Sequence, residues 1–198
     1  GVQVDVELKF HEHVSMAVNK AYQLLGIIRR TFTRLDTKTL PLLFKTLVRP
    51  HLEYGNILWH SRWKEDGYKV ERVQRRATKM MPETRELPYT DRLKIFDLHS
   101  LYYRRRRGDA ITVFKILKGL VRLDPSHFFT LSLNTQTRGH SLKIFKERSR
   151  LNIRKCFFSN RLVANWNSLP QEIIDSNSID IFKMRLDKHW WSERFELS

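Results

Sequence analysis

With 198 residues, 41% of them hydrophobic and 29% charged, the chain is long enough to bury a substantial core, as one large domain or two small ones. Its 7 Gly and 6 Pro are too few for a long linker-like tract. Lys and Arg number 37 against 21 Asp and Glu, giving +16 and a pI near 10.3, an excess that points to a polyanionic partner, nucleic acid before anionic membrane.

No apolar run reaches the roughly 20 residues that a membrane span requires. Gly1-Val2-Gln3-Val4 lacks the basic and apolar regions of a signal peptide. The single cysteine, Cys156, excludes an internal disulfide and any zinc site built on several thiolates. The expectation is an intracellular protein, nuclear or cytoplasmic, that holds no metal. The chain opens without an initiator Met, which suggests a cut through a longer polypeptide.

At the start, Val2, Val4, Val6, Leu8 and Phe10 alternate with polar residues, the period of a half-buried strand. With few partners nearby, it reads as the edge of a sheet that belongs upstream. The period changes at His11, where Val14, Val18, Ala21, Leu25, Ile28 and Phe32 form the seam of an amphipathic helix. Asp36 stands at the N-cap of a second helix with Leu40, Leu43, Phe44 and Leu47 inward. Pro50 breaks or kinks it, by removing a donor and crowding the preceding turn. Asp66 is placed to cap a third helix, with Val70, Val73, Ala77 and Met80 inward and Pro82 as its stop. A short helix near residues 89–96 and a long one from Ser100 to Leu120 follow. Residues 131–153 lack helical periodicity and read as one or two strands with a basic loop. Residues 156–168 look helical up to Pro170, and Ser176-Asn177-Ser178 can cap a last helix carrying Ile179, Phe182, Leu186 and Trp190.

The sharpest chemical signal lies on the third helix. Arg72, Arg75, Arg76 and Lys79 cluster opposite its apolar seam, and Glu71 relieves them only in part. Four cations on one stripe repel one another unless a polyanion lies alongside; the bland reading is a solubilising face. In the run from Arg104 to Arg107, Arg104 and Arg105 point away from the seam of Ala110, Val113, Phe114 and Leu117. Arg106 falls close to it and needs a carboxylate or phosphate, with Asp109 within helical reach. Residues 138–161 hold Arg138, Lys143, Lys146, Arg148, Arg150, Arg154, Lys155 and Arg161 against one acid, Glu147. Phe145, Phe157 and Phe158 are interleaved, a pattern suited to phosphate and base contacts or to a basic loop over a small aromatic core. Phe157 and Phe158 fit the core better.

Nucleotidyl transfer needs closely set carboxylates holding two metal ions, and here the only neighbouring acids are Glu65-Asp66. His11-x-His13 at a strand–helix junction is a weak metal signal, Cys156 lacks a nucleophile's context and reads as a buried small hydrophobe, and there is no Gly-rich phosphate loop.

Several stretches resemble the reverse transcriptases of non-LTR (LINE-type, jockey-like) retrotransposons, in the region after the catalytic palm. The opening Gly1–Asp5 through Phe10, His13-Val14 and Leu25–Arg30 are similar to the last palm strand and its exit into the thumb. Leu47–Tyr54 followed by Trp59, and above all Val70–Thr78, resemble thumb helices. Tyr103–Asp109 and Phe114–Leu117 match the long helix. Thr137–Lys143, Arg148–Arg150, Phe157–Arg161 and Trp166–Pro170 match the C-terminal extension. The resemblance covers nearly the whole chain in motif order.

It implies a mainly α fold: a last strand of a truncated palm over 1–10, a helical thumb over 11–122 and a small, basic α+β extension over 123–198. The implied role is a non-catalytic grip on RNA template and DNA primer or target DNA, beside the upstream palm and fingers of the same polypeptide. The catalytic aspartates and Mg²⁺ would belong to that upstream part, so the chain alone is expected to be inactive and to carry no cofactor. The nucleic-acid-binding residues expected are Arg72, Arg75, Arg76, Lys79, Arg104, Arg105, Arg138, Lys143, Arg148, Arg150 and Arg154. The alternatives are a stand-alone basic nucleic-acid-binding or adaptor module and a decayed element fragment with no function.

Overall fold

The computed structural model describes residues 1–59, 63–132 and 139–197. The chain is mainly helical. In order come α1 (His11–Thr31), α2 (Thr39–Leu43), a wide π turn (Phe44–Val48), α3 (Arg49–Glu53), α4 (Lys64–Ala77), α5 (Tyr89–Ile95) and α6 (Leu101–Leu117). Shorter helices follow: α7 (Asn152–Lys155), α8 (Phe158–Arg161), α9 (Val163–Asn167) and α10 (Gln171–Ile174), then α11 (Ile179–His189). No helix among the described residues is long and apolar enough to cross a membrane.

Two compact units divide the chain: residues 1–104 with 194–198, and residues 105–193. The division falls inside α6. A continuous helix gives the sequence no turn signal at that point.

In the first unit, α1 packs on α3 and α4 through the seam read from the sequence. Val14, Val18, Ala21, Leu25 and Ile28 are all buried, joined by Leu40, Phe44, Val48, Leu52, Val70, Val73 and Ala77. Phe32, expected at the end of this seam, is 38% exposed where α1 ends. Leu47, expected inward on the second helix, is 45% exposed, and Val48 is buried in its place. The π turn explains the change. The Pro50 ring would crowd the Thr46 carbonyl in a regular helix, and the wider turn relieves it while shifting the buried register by one residue. The helix is thus deformed at Pro50 rather than ended. Asp36 accepts from the backbone N–H groups of Lys38 (2.8 Å) and Thr39 (2.6 Å), opening α2.

Two expectations are corrected here. Residues 1–10 form no strand: Val4 and Val6 are exposed, and the Asp5 carboxylate accepts from the N–H groups of Glu7, Lys9 and Phe10. Without a neighbouring strand among the described residues to take its backbone groups, the segment closes on an aspartate instead. Asp66 does not cap α4. It is fully buried in the first turn, where His11 Nδ1 lies 2.5 Å from its carboxylate and Lys69 3.2 Å away.

The second unit is built on Val113, Phe114, Trp166, Phe182, Leu186 and Trp190, with Phe114 stacked on Phe182 at 4.1 Å between ring centroids. Ser178 Oγ accepts from the Ile181 N–H (3.2 Å) and caps α11, as its sequence suggested. The expected α+β character is also corrected. Among the described residues the segment 131–153 contributes one isolated antiparallel bridge, Leu131 to Ile144. The Asn167 side chain takes the place of a further strand: its amide donates to the Ile144 carbonyl and accepts from the Ile144 N–H, both at 2.9 Å. Phe158 is half-buried against Phe129, but Phe157, expected in the core, is 45% exposed.

Candidate nucleic-acid interface

The outward face of α4 is set by what its inward face buries. Val70, Glu71, Val73, Gln74 and Ala77 are all buried, which leaves Arg72 and Arg76 exposed and Arg75 half-buried. Lys79 is exposed too, but it lies in the turn after the helix, where its N–H donates to the Arg76 carbonyl (3.2 Å).

Glu71, expected to relieve the arginines in part, is committed inward instead. Its carboxylate accepts from the Tyr89 hydroxyl (2.5 Å) and from the backbone N–H of Leu101 (2.9 Å), capping α6 from thirty residues away. Gln74 Nε2 donates to the Tyr89 oxygen and to the His99 carbonyl, both at 3.0 Å. Burial first, and then the Glu71 charge, push the Tyr89 phenol far above its ordinary range, so it stays a donor. This network pins the rotation of α4.

Two tyrosines carry the arginines. The Arg75 guanidinium lies 4.6 Å from the centre of the Tyr89 ring, and that of Arg76 lies 5.3 Å from Tyr22. Stacking of this kind holds a guanidinium in place without neutralising it. Among the described residues, no carboxylate lies within 4 Å of Arg72, Arg75, Arg76 or Lys79. The tyrosines are 50 or more residues from Arg76 and 14 from Arg75, so helical spacing alone does not reveal them.

The Arg104–Arg107 run is structural throughout. Arg104 is held by both oxygens of Glu53, and Arg105, expected to point away from the core, is buried at 7% exposure. Arg106 lies 2.8 Å from Glu193, and Arg107 forms a two-point pair with Asp187 at 2.5 and 2.8 Å. Arg104 thus meets a carboxylate 51 residues away in sequence, and Arg105 lies in the interior.

In the second unit, Arg148 and Arg150 are exposed, Lys143 is half-buried, and Arg154 is exposed but paired with Glu147 at 2.8 Å. Arg138 lies outside the described residues. Asp109 accepts two bonds from Arg161 at 2.9 and 2.8 Å, with both side chains 9% exposed.

His11 and His13 do not converge. His11 meets Asp66, while His13 is buried against Trp59. Cys156, expected to be buried, is intermediate in exposure. Among the described residues no three of His, Cys, Asp or Glu gather into a metal-binding group. Comparison with family models, curated proteins and solved structures finds no match to this chain.

Proposed function

We propose that the chain is a non-catalytic nucleic-acid grip, the part that follows the palm in an RNA-directed DNA polymerase of the non-LTR retrotransposon type. The observation that carries the reading is the outward face of α4, where Arg72, Arg75 and Arg76, followed by Lys79, are without a nearby carboxylate. A phosphate backbone supplies the missing countercharge and releases its condensed ions in doing so. The contacts position the duplex and read little sequence, because guanidiniums laid on tyrosine rings present charge along a helix side rather than a reading edge. The partners are RNA template, DNA primer or target DNA, and the upstream palm and fingers, which supply the Mg²⁺-binding aspartates.

Arg72→Gln/Arg76→Gln is the test, by titration of duplexes over a range of salt. Binding weakens to the same extent for every sequence, and the slope of log K against log salt falls by about 0.9 per lost contact on B-form DNA. Stability stays within about 0.5 kcal/mol, since both changes are on the surface. Unchanged affinity and slope would show that the grip is elsewhere.

A further inference from the structure

We infer that a cleft in the second unit, formed by the loop around Lys146–Ser149 with α7 and α8, binds a phosphate group carrying more than one negative charge. Such a group is a phosphomonoester or a polyphosphate, as on a free nucleotide or at the 5′ end of a nucleic-acid strand. The inference goes beyond the α4 grip and rests on different residues in the other compact unit.

The cleft has a volume of about 720 Å³, within the range of small-ligand sites. Lys146, Arg148, Lys155 and Arg161 line it, against a single carboxylate, Glu147, which Arg154 already engages at 2.8 Å. Arg161 is the fixed wall. Asp109 holds it at two points, and its Nη1 donates to the Cys156 carbonyl at 3.2 Å. Lys146 and Arg148 are exposed, with no carboxylate within 4 Å among the described residues. Lys155 brings a further cation from α7.

A concave wall focuses the field of such charges, so the cost of holding them together is relieved most by one compact, multiply charged anion. A backbone diester brings one negative charge to this space, while a phosphomonoester brings about −1.5 to −2 near neutral pH. The Arg148 fork and the Ser149 hydroxyl supply the donors that phosphate oxygens accept from.

The experiment uses the whole 198-residue chain. Pyrophosphate is titrated by calorimetry, and single-stranded oligonucleotides with a 5′-phosphate or a 5′-hydroxyl are compared by fluorescence anisotropy. Pyrophosphate binds one per chain, and the phosphorylated end is preferred by about tenfold, a difference of about 1.4 kcal/mol. Lys146→Gln and Arg148→Gln, made singly and together, each weaken pyrophosphate binding and reduce that preference, whereas Arg72→Gln/Arg76→Gln leaves both intact. The single changes are at exposed positions, and circular dichroism confirms that each variant is folded. Pyrophosphate binding without an end preference assigns the cleft to free polyphosphates. Failure to bind pyrophosphate together with equal affinity for the two ends overturns the inference, as does loss of both effects in Arg72→Gln/Arg76→Gln alone.

Discussion

Arg154 and Arg161 stand seven residues apart and meet their carboxylates under opposite conditions. The Arg161–Asp109 pair is 9% exposed on both sides, whereas Arg154 and Glu147 are 59% and 47% exposed. Removing one partner of a buried pair leaves the other charge out of water and unpaired. Arg161→Met is therefore expected to cost about 3–5 kcal/mol in chemical denaturation, and Arg154→Met less than about 1 kcal/mol. Equal costs would show that Asp109 is reached by water. His140 offers a second test at this scale. It is buried, Nε2 is 2.9 Å from the Trp166 carbonyl, and Lys143 and Asp175 are the charges that bear on it. Burial is the largest influence and holds its pKa below the ordinary 6.5. Because the folded state disfavours the protonated ring, the stability His140 contributes is complete above pH 6.5 and is lost as the pH falls below it. The melting temperature of wild type should exceed that of His140→Asn by less at pH 5 than at pH 7.5; a constant gap would count against a buried neutral ring.

At the scale of elements, α1 shows how far a periodic pattern reaches. Its apolar spacing of three and four was legible, and the same residues form the buried seam. Leu25→Ala should cost about 2–5 kcal/mol, from lost transfer energy and the cavity left behind. Ile27→Ala, at a 50% exposed position on the same helix, should stay within about 0.5 kcal/mol. Thermal melts of the two variants check both, and similar losses would mean that the helix faces elsewhere. The opening alternation of Val2, Val4 and Val6 misled for a physical reason: a strand exists only through a neighbour's backbone, and period two does not supply one. At Ile144 the neighbour is a side-chain amide, which periodicity cannot reveal either. The Pro50 disturbance was legible, but its outcome was not. Whether a proline ends a helix or widens one turn depends on the packing that Val48 and Leu52 gain on either side.

Across the whole molecule, six carboxylates serve structure. Asp66, Glu71 and Asp109 are buried with His11, Tyr89 and Arg161, and Asp5, Asp36 and Asp124 close backbone turns. Two-metal nucleotidyl transfer needs such groups free and close together. Purified chain is accordingly expected to give no extension of a primed RNA template with Mg²⁺ or Mn²⁺; reproducible, heat-sensitive extension would contradict that. The sequence by itself determined the helical class, the buried seams of α1, α4 and α11, the cap at Ser178 and the basic balance, because each depends on neighbours three or four residues apart or on composition alone. Tertiary structure decided which arginines meet a carboxylate. The runs 72–76 and 104–107 look alike in the chain, but Glu53, Asp187 and Glu193 reach only the second, while Glu71 turns inward beneath the first. A guanidinium's fate is settled by the carboxylate nearest in space, and a long, flexible side chain reaches one that sequence spacing does not show.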